Sequence, residues 1–252
     1  MTGGQATVVW GLIAAHAAAS GRRVSVADVC AVAAGPVHGG GAWVVASGTG
    51  GPGFVMSVTD PVCERLAELQ LMLGEGPCHD VLASAAPVLA AGLGDAEFVR
   101  RWPAFAPEAH RLGAAAVFAF PLTIGAIRAG VMAVYRSLPS PLLGEQLGEL
   151  LILADAATML LLDGAEHAAD ASAGPAGVVE LAGQPRDLAL HRAEIDQATG
   201  MLTVQLGVTI TDAFVRLRAY AYSEDRRLAD VAGDIVARRL RLHADPAQDG
   251  AP

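Results

Sequence analysis

The residues best equipped for chemistry fall into two groups. In the C-terminal quarter, Arg216 and Tyr220 lie four apart and share one face of any helix that carries them. Arg226 and Arg227 follow in a polar connection. Arg192, Gln197, Thr199 and Gly200 stand on the helical stretch before them. Guanidinium forks grip phosphates and stack on unpaired bases, aromatic rings do the same, and amides or hydroxyls address base edges. These are the side chains that read a looped nucleic acid. The plainer alternative is that the arginines solvate a helical bundle opposite its core, paired with Glu224, Asp225, Asp230 and Asp234. Thr199 has its own alternative, a seam residue whose hydroxyl bonds back to its helix. Gly200 and Ala198 either admit a nucleotide or permit close helix packing.

The second group surrounds Cys78, in the stretch Gly74-Glu-Gly-Pro-Cys78-His-Asp80. A thiol at the start of a short helix can be activated by that terminus; buried, it is a small apolar filler. Cys78 is therefore a ligand or redox candidate and not a catalytic assignment. His79 and Asp80 are neighbours in sequence, so they do not face one another on a helix. Cys30, Cys63 and Cys78 show no C-x-x-C spacing, which encodes neither a local zinc site nor a dithiol motif. His38, His79 and His110 stand in no haem-ligand pattern. The glycines form no G-x-G-x-x-G ahead of a helix, and a chain without Lys has no P-loop. No catalytic residue, metal or cofactor is assigned from these patterns.

All 17 basic residues are Arg, and neither Lys nor Asn occurs, a bias that follows from G- and C-rich coding DNA. The net charge of −9 excludes a protein that coats nucleic acid with its whole surface. Charge is unevenly spread: residues 1–185 hold 8 Arg against 16 acids, whereas residues 186–241 hold 9 Arg against 8 acids. The N-terminus lacks the basic and apolar regions of a secretory leader. The apolar run Ala114–Tyr135 is interrupted by Pro121, Gly125, Arg128 and Gly130, so it reads as two strands rather than a membrane span. A cytoplasmic protein without membrane contact is expected.

Periodicity supplies the elements that position these residues. Val8–Ala19 and Val24–Ala33 read as helices, the second opened by Ser25 with Asp28 three residues on. Gly41–Ser47 and Phe54–Val58 read as a hairpin, Pro61–Leu71 as a helix, Asp80–Ser84 as a short helical piece and Val88–Ala91 as a strand. A mixed loop, a helix over Trp102–Leu112, strands over Ala116–Leu122 and Ile127–Tyr135, and a long helix over Leu142–Leu162 complete an α+β domain at 1–162. Residues 163–186, rich in Ala, Gly and acid, read as a flexible linker spanning about 25 Å. From Asp187 the helical period returns: Leu188, Ile195 and Leu202 repeat every seven residues, Gly207 ends the helix, Thr209 and Asp212 open a second, and Leu228–Val236 form a third. The fold expected is an antiparallel sheet flanked by helices, then an all-α three-helix domain at 187–241 and a disordered tail at 242–252.

Three segments carry a family resemblance: Arg192-Ala-Glu-Ile-Asp-Gln-Ala-Thr-Gly-Met-Leu202, Asp212-Ala-Phe-Val-Arg-Leu-Arg-Ala-Tyr220 and Arg227-Leu-Ala-Asp-Val-Ala-Gly-Asp-Ile-Val236. In order and spacing they resemble the ANTAR domain, the RNA-binding output module of bacterial antitermination regulators. The chain departs from the family at Thr199, where Lys is usual. Leu73-Gly-Glu-Gly-Pro-Cys78, Arg101-Trp-Pro-Ala-Phe-Ala106 and the stretch Val117–Val131 resemble the GAF domains that precede ANTAR modules in high-GC actinobacteria.

The resemblance implies a non-enzymatic regulator whose GAF-like domain senses an input, a small-molecule ligand among the candidates, and whose ANTAR-like domain binds an RNA hairpin. The rivals are a DNA-binding regulator, since a three-helix bundle with Arg on one face invites a helix-turn-helix reading, and a small-molecule or redox enzyme on a GAF scaffold. The long Leu142–Leu162 helix carries more apolar positions than one sheet contact uses, so a homodimer is expected.

Overall fold

Three turn signals in the sequence set the local frame of the first unit. Asp60 accepts the backbone N–H of Cys63 at 2.8 Å and Pro61 needs no donor at the first helical position, so a helix begins there. Gly74, at φ +69°, closes the same helix with the left-handed cap that glycine adopts without strain. Asp28 accepts the Ser25 N–H at 2.8 Å, completing the cap expected there.

A computed structural model describes residues 2–37, 39–47, 53–171 and 186–243. The chain divides into two compact units near Leu188. In the first, β1 (Ala42–Ala46), β2 (Phe54–Val58), β3 (Val88–Ala90), β4 (Ala116–Ile124) and β5 (Ile127–Arg136) form one antiparallel sheet in the order β2-β1-β5-β4-β3. Helices α1 (Thr2–Ala19), α2 (Val26–Ala33) and α7 (Gly144–Ala171) cover one face. Helices α3 (Pro61–Leu73), α4 (Pro77–Ser84), α5 (Ala96–Arg101) and α6 (Phe105–Arg111) lie on the other.

Alternation in the strands assigns the side chains. Val44, Phe118, Phe120, Met132 and Val134 point to α1, α2 and α7, while Trp43, Val117, Ala119, Val131 and Ala133 point to the opposite core. Both faces are therefore dry, which is why β4 and β5 read as unbroken apolar runs. Helix α5 occupies part of the stretch expected as a mixed loop. Helix α7 continues to Ala171, into the segment expected as linker, because Ala and Glu, five of the nine residues from 163 to 171, are strong helix formers. Residues 172–185, the expected tail beyond His243 and His38 lie outside the described residues. Among the described residues no single helix is long and apolar enough to cross a membrane.

The second unit contains α8 (Arg186–Leu206), α9 (Ile210–Ser223) and α10 (Leu228–Val236). Gly207 terminates α8 at φ +65°, and Thr209 accepts the Asp212 N–H at 3.1 Å to cap α9. Leu202, Phe214, Leu217, Leu228, Val231 and Ile235 fill the bundle core. Val236, at the end of α10, is only partly buried.

Candidate nucleic-acid interface

Helix α8 presents two different faces. Ala198, Thr199 and Leu202 are buried in the bundle, and the Thr199 hydroxyl donates to the Ile195 carbonyl at 2.7 Å. Of the two readings of Thr199, the seam is the one the structure adopts: its side chain is consumed by its own helix. One position either side, Gln197 and Gly200 are exposed. Arg192 leans along the helix toward Asp196 at 3.7 Å; burial lowers its pKa, an effect that Asp196 opposes.

On α9, Arg216 and Tyr220 are half-buried on a shared flank, and Arg218 sits 5.7 Å above the Phe214 ring, in cation–π range. The connection to α10 turns at Asp225, with φ +50°. Arg226 donates to Asp234 at 2.6 Å, and Arg239, beyond α10, donates to the other oxygen of the same carboxylate at 2.7 Å. Those two hydrogen bonds hold Asp234 below the usual carboxylate range, and the Asp234 bond raises the Arg226 guanidinium. Arg227 occupies the N-cap position of α10 without a side-chain capping bond. Arg226 is thus tied into the turns at both ends of α10, whereas Gln197, Gly200 and Arg216 are placed by the scaffold without being used by it.

After α10 the chain doubles back. The N–H groups of Arg239 and Leu240 both reach the Asp234 carbonyl, and the Gln205 side chain donates to the Leu242 carbonyl. This segment lies across α8 and leaves a groove of about 690 Å³ lined by Gln197, Gly200, Met201, Val204, Arg238 and Arg241.

In the first unit, the motifs around Cys78 and Trp102 turn out to join one another. Glu75 accepts the backbone N–H groups of Ala104 and Phe105 at 2.7 and 2.6 Å. Asp80 accepts from Arg101 Nε at 2.7 Å and Trp102 Nε1 at 3.0 Å. The backbone N–H of Cys78 donates to Gln70 at 2.7 Å, and a Cβ on Gly76 would stand 2.7 Å from the Gln70 side chain. These residues staple the α3–α4 turn to α5 and α6. Cys78 is 5% exposed, and burial pushes its thiol up to about 12, overriding any help from the α4 terminus. Its placement is that of a packing residue. Cys30 lies on the opposite side of the sheet from Cys63 and Cys78, so no disulfide joins it to either. Among the described residues no group of His, Cys, Asp and Glu is arranged to hold a metal.

In the second unit, residues 186–236 match the ANTAR domain family. The first unit shares its fold with the GAF domain of a phosphoenolpyruvate-protein phosphotransferase from Coxiella burnetii, at TM-score 0.50 and 12% identity over 65% of this chain and 98% of that one. The chain joins a GAF-like fold to an ANTAR domain. Other similar structures are the corresponding GAF domain from Acinetobacter, at TM-score 0.45 and 11% identity over 66% of this chain and 97% of that one, and a domain of a two-component sensor histidine kinase protein from Sinorhizobium meliloti 1021, at TM-score 0.45 and 17% identity over 57% and 92%. No curated protein matches the chain.

ANTAR domains are RNA-binding modules of antitermination regulators, so the class of protein is regulatory. Within this ANTAR domain the family's usual Lys position, Thr199, faces inward. The matched segment ends at Val236, ahead of Arg238, Arg239 and Arg241. Those three were visible in the sequence only as part of the excess of Arg, because nothing in an Arg-Arg-Leu-Arg run reveals that the chain folds back over the first helix of the bundle.

Proposed function

We propose that the ANTAR domain binds a structured RNA hairpin and that this binding lets transcription proceed past a terminator. The observation that carries the reading is the match of residues 186–236 to the ANTAR family, within the stretch 186–241 that holds 9 of the 17 Arg. Binding stabilises the bound hairpin by RT ln(1 + [L]/Kd), with the protein as L, so a competing terminator loses population by the same factor. Gln197, Gly200, Arg216 and Tyr220, with Arg192 and Arg227 at the margins, contact the RNA. Thr199 and Arg226 act from behind, one packing α8 and the other holding the turns of α10. The cytoplasm, where transcripts are made, is the site of action.

The GAF-like unit supplies the input, through a small molecule or through pairing of two copies. Pairing is supported by the apolar side chains left outside on two neighbouring helices: Val8 and Leu12 of α1 and Leu151 and Met159 of α7, each more than 40% exposed. Sedimentation at tens of micromolar should give twice 25.7 kDa; a single 25.7 kDa species removes the dimer.

RNA binding is tested by titrating the full chain against a pool of hairpins with a fixed stem and a fully randomised loop, with duplex DNA as competitor at fixed salt. Retention of hairpins over duplex is expected. Equal displacement by duplex DNA would favour a DNA-binding regulator, and no retention at all would remove the nucleic-acid reading.

A further inference from the structure

Gln197, Gly200, Met201 and Val204 are spaced three, four and seven apart, so they form one stripe on α8, turned away from the seam of Ala198 and Leu202. Nothing stands within 4 Å of where a Cβ on Gly200 would be, and Val204 is 85% exposed. The opposite wall is the segment after α10, which brings Arg238 and Arg241 to the same space. Both are exposed, and neither has an ion-pair partner among the described residues. Their neighbour Arg239 is the one spent on Asp234. The wall is fixed in three ways: by the Asp234 carboxylate, by the Asp234 carbonyl, and by the Gln205 side chain on the Leu242 carbonyl, with Leu242 itself buried.

We propose that this groove is a pocket for an unpaired nucleotide of the RNA loop, and that Arg238 and Arg241 carry the cationic contacts that residue 199 does not make. The inference rests on the RNA-binding reading above and extends it to residues beyond the matched family segment. A volume of about 690 Å³ suits a nucleotide-sized ligand, since small-molecule sites run from about 300 to 1,000 Å³. Met201 and Val204 supply an apolar shelf for one face of a base, and the bare backbone at Gly200 lets a flat ring approach the helix. A guanidinium of Arg238 or Arg241 stacks on the other face or grips the adjoining phosphate. The Gln197 amide, with donor and acceptor side by side, meets the base edge. The chemistry selects single-stranded RNA over duplex, because a base paired inside a helix has no free face to insert.

The test uses the full chain and the same fixed-stem, random-loop hairpin pool. Arg238→Gln with Arg241→Gln should weaken retention at least tenfold and flatten the dependence of log K on log salt by about 1.5, from roughly 0.7 per single-strand phosphate contact. Gly200→Leu projects a side chain into the groove while improving helix propensity by up to about 1 kcal/mol, so its thermal unfolding should be unchanged or later. It should remove the loop-sequence preference that sequencing of retained wild-type RNA reveals, while leaving weaker, sequence-independent binding. If wild type retains hairpins and all these variants retain them with the same affinity, salt slope and loop preference, the pocket is refuted and RNA binding stands. If wild type itself retains none, the RNA-binding reading falls, and this proposal with it.

Discussion

Restoring the family's usual residue at position 199 is the sharpest probe of how this ANTAR domain is built. Thr199 is 5% exposed and its hydroxyl donates to Ile195 at 2.7 Å, so Thr199→Lys must push two extra heavy atoms and a charge into a filled seam. Overpacking a core costs about 1–3 kcal/mol, and a lysine that escapes by extending its stem to water still displaces neighbours. A central figure of about 2 kcal/mol corresponds to a fall of about 8–16 °C in the unfolding midpoint of a domain this small. Thr199→Val is the control: losing a hydrogen bond costs about 0.5–1.5 kcal/mol, while an added buried methyl returns about 0.8. Its midpoint should stay within a few degrees of wild type, taking about 4–8 °C per kcal/mol. Calorimetry reads the stability, and hairpin retention at several salt concentrations reads the contact. The expected result is destabilisation by Lys without a steeper salt slope. A Thr199→Lys protein that keeps its midpoint and gains a slope of about one would show the side chain reaching phosphate, and the seam assignment would be wrong.

Three further outcomes follow from the packing and caps. With all three thiols buried and each pushed up to about 12, iodoacetamide near neutral pH should leave the native chain unmodified while adding three adducts to the denatured one; rapid single labelling at Cys78 would contradict its role as filler. Thr209→Ala removes the acceptor for the Asp212 N–H and should cost about 1 kcal/mol in calorimetry of the ANTAR transition, with no change meaning the cap is made by water. Burial alone would raise Asp28, but hydrogen bonds from His16 and Ser25 and the nearby Arg22 bring it below its ordinary value, so its ionised form adds stability at neutral pH that fades as acid protonates the folded state. The unfolding midpoint of wild type should therefore fall more steeply than that of Asp28→Asn between about pH 5 and about pH 2, and parallel curves would show that Asp28 does not titrate with folding.

How much was legible depended on range. Strands β1, β2, β4 and β5, the helix opened by Asp60 and Pro61, the caps at Ser25 and Thr209, and the end at Gly207 all follow from residues within a few positions of one another, where period and turn chemistry act directly. So does the three-helix order of the ANTAR domain, whose short connections leave few alternatives. Helix α5 is not legible in the sequence, because six residues hold too little periodicity to stand out from a loop. The C-terminal end of α7 is ambiguous in sequence for another reason: its Ala and acid suit a helix as well as a linker.

The sequence alone determined the class of each unit and the concentration of Arg in the second, since helix period, strand alternation and charge are properties of the chain itself. Only the tertiary structure decided which Arg are spent and which are free. Asp234 lies eight residues from Arg226 and five from Arg239, and no local rule says that one carboxylate will engage both. It likewise decided that Thr199 points inward while Gly200, its neighbour, points out, because a helix turns about 100° per residue and only the packed partners fix which side is core. The groove between α8 and the returning segment, and the burial that silences Cys78, belong to the same level: they arise where distant parts of the chain meet.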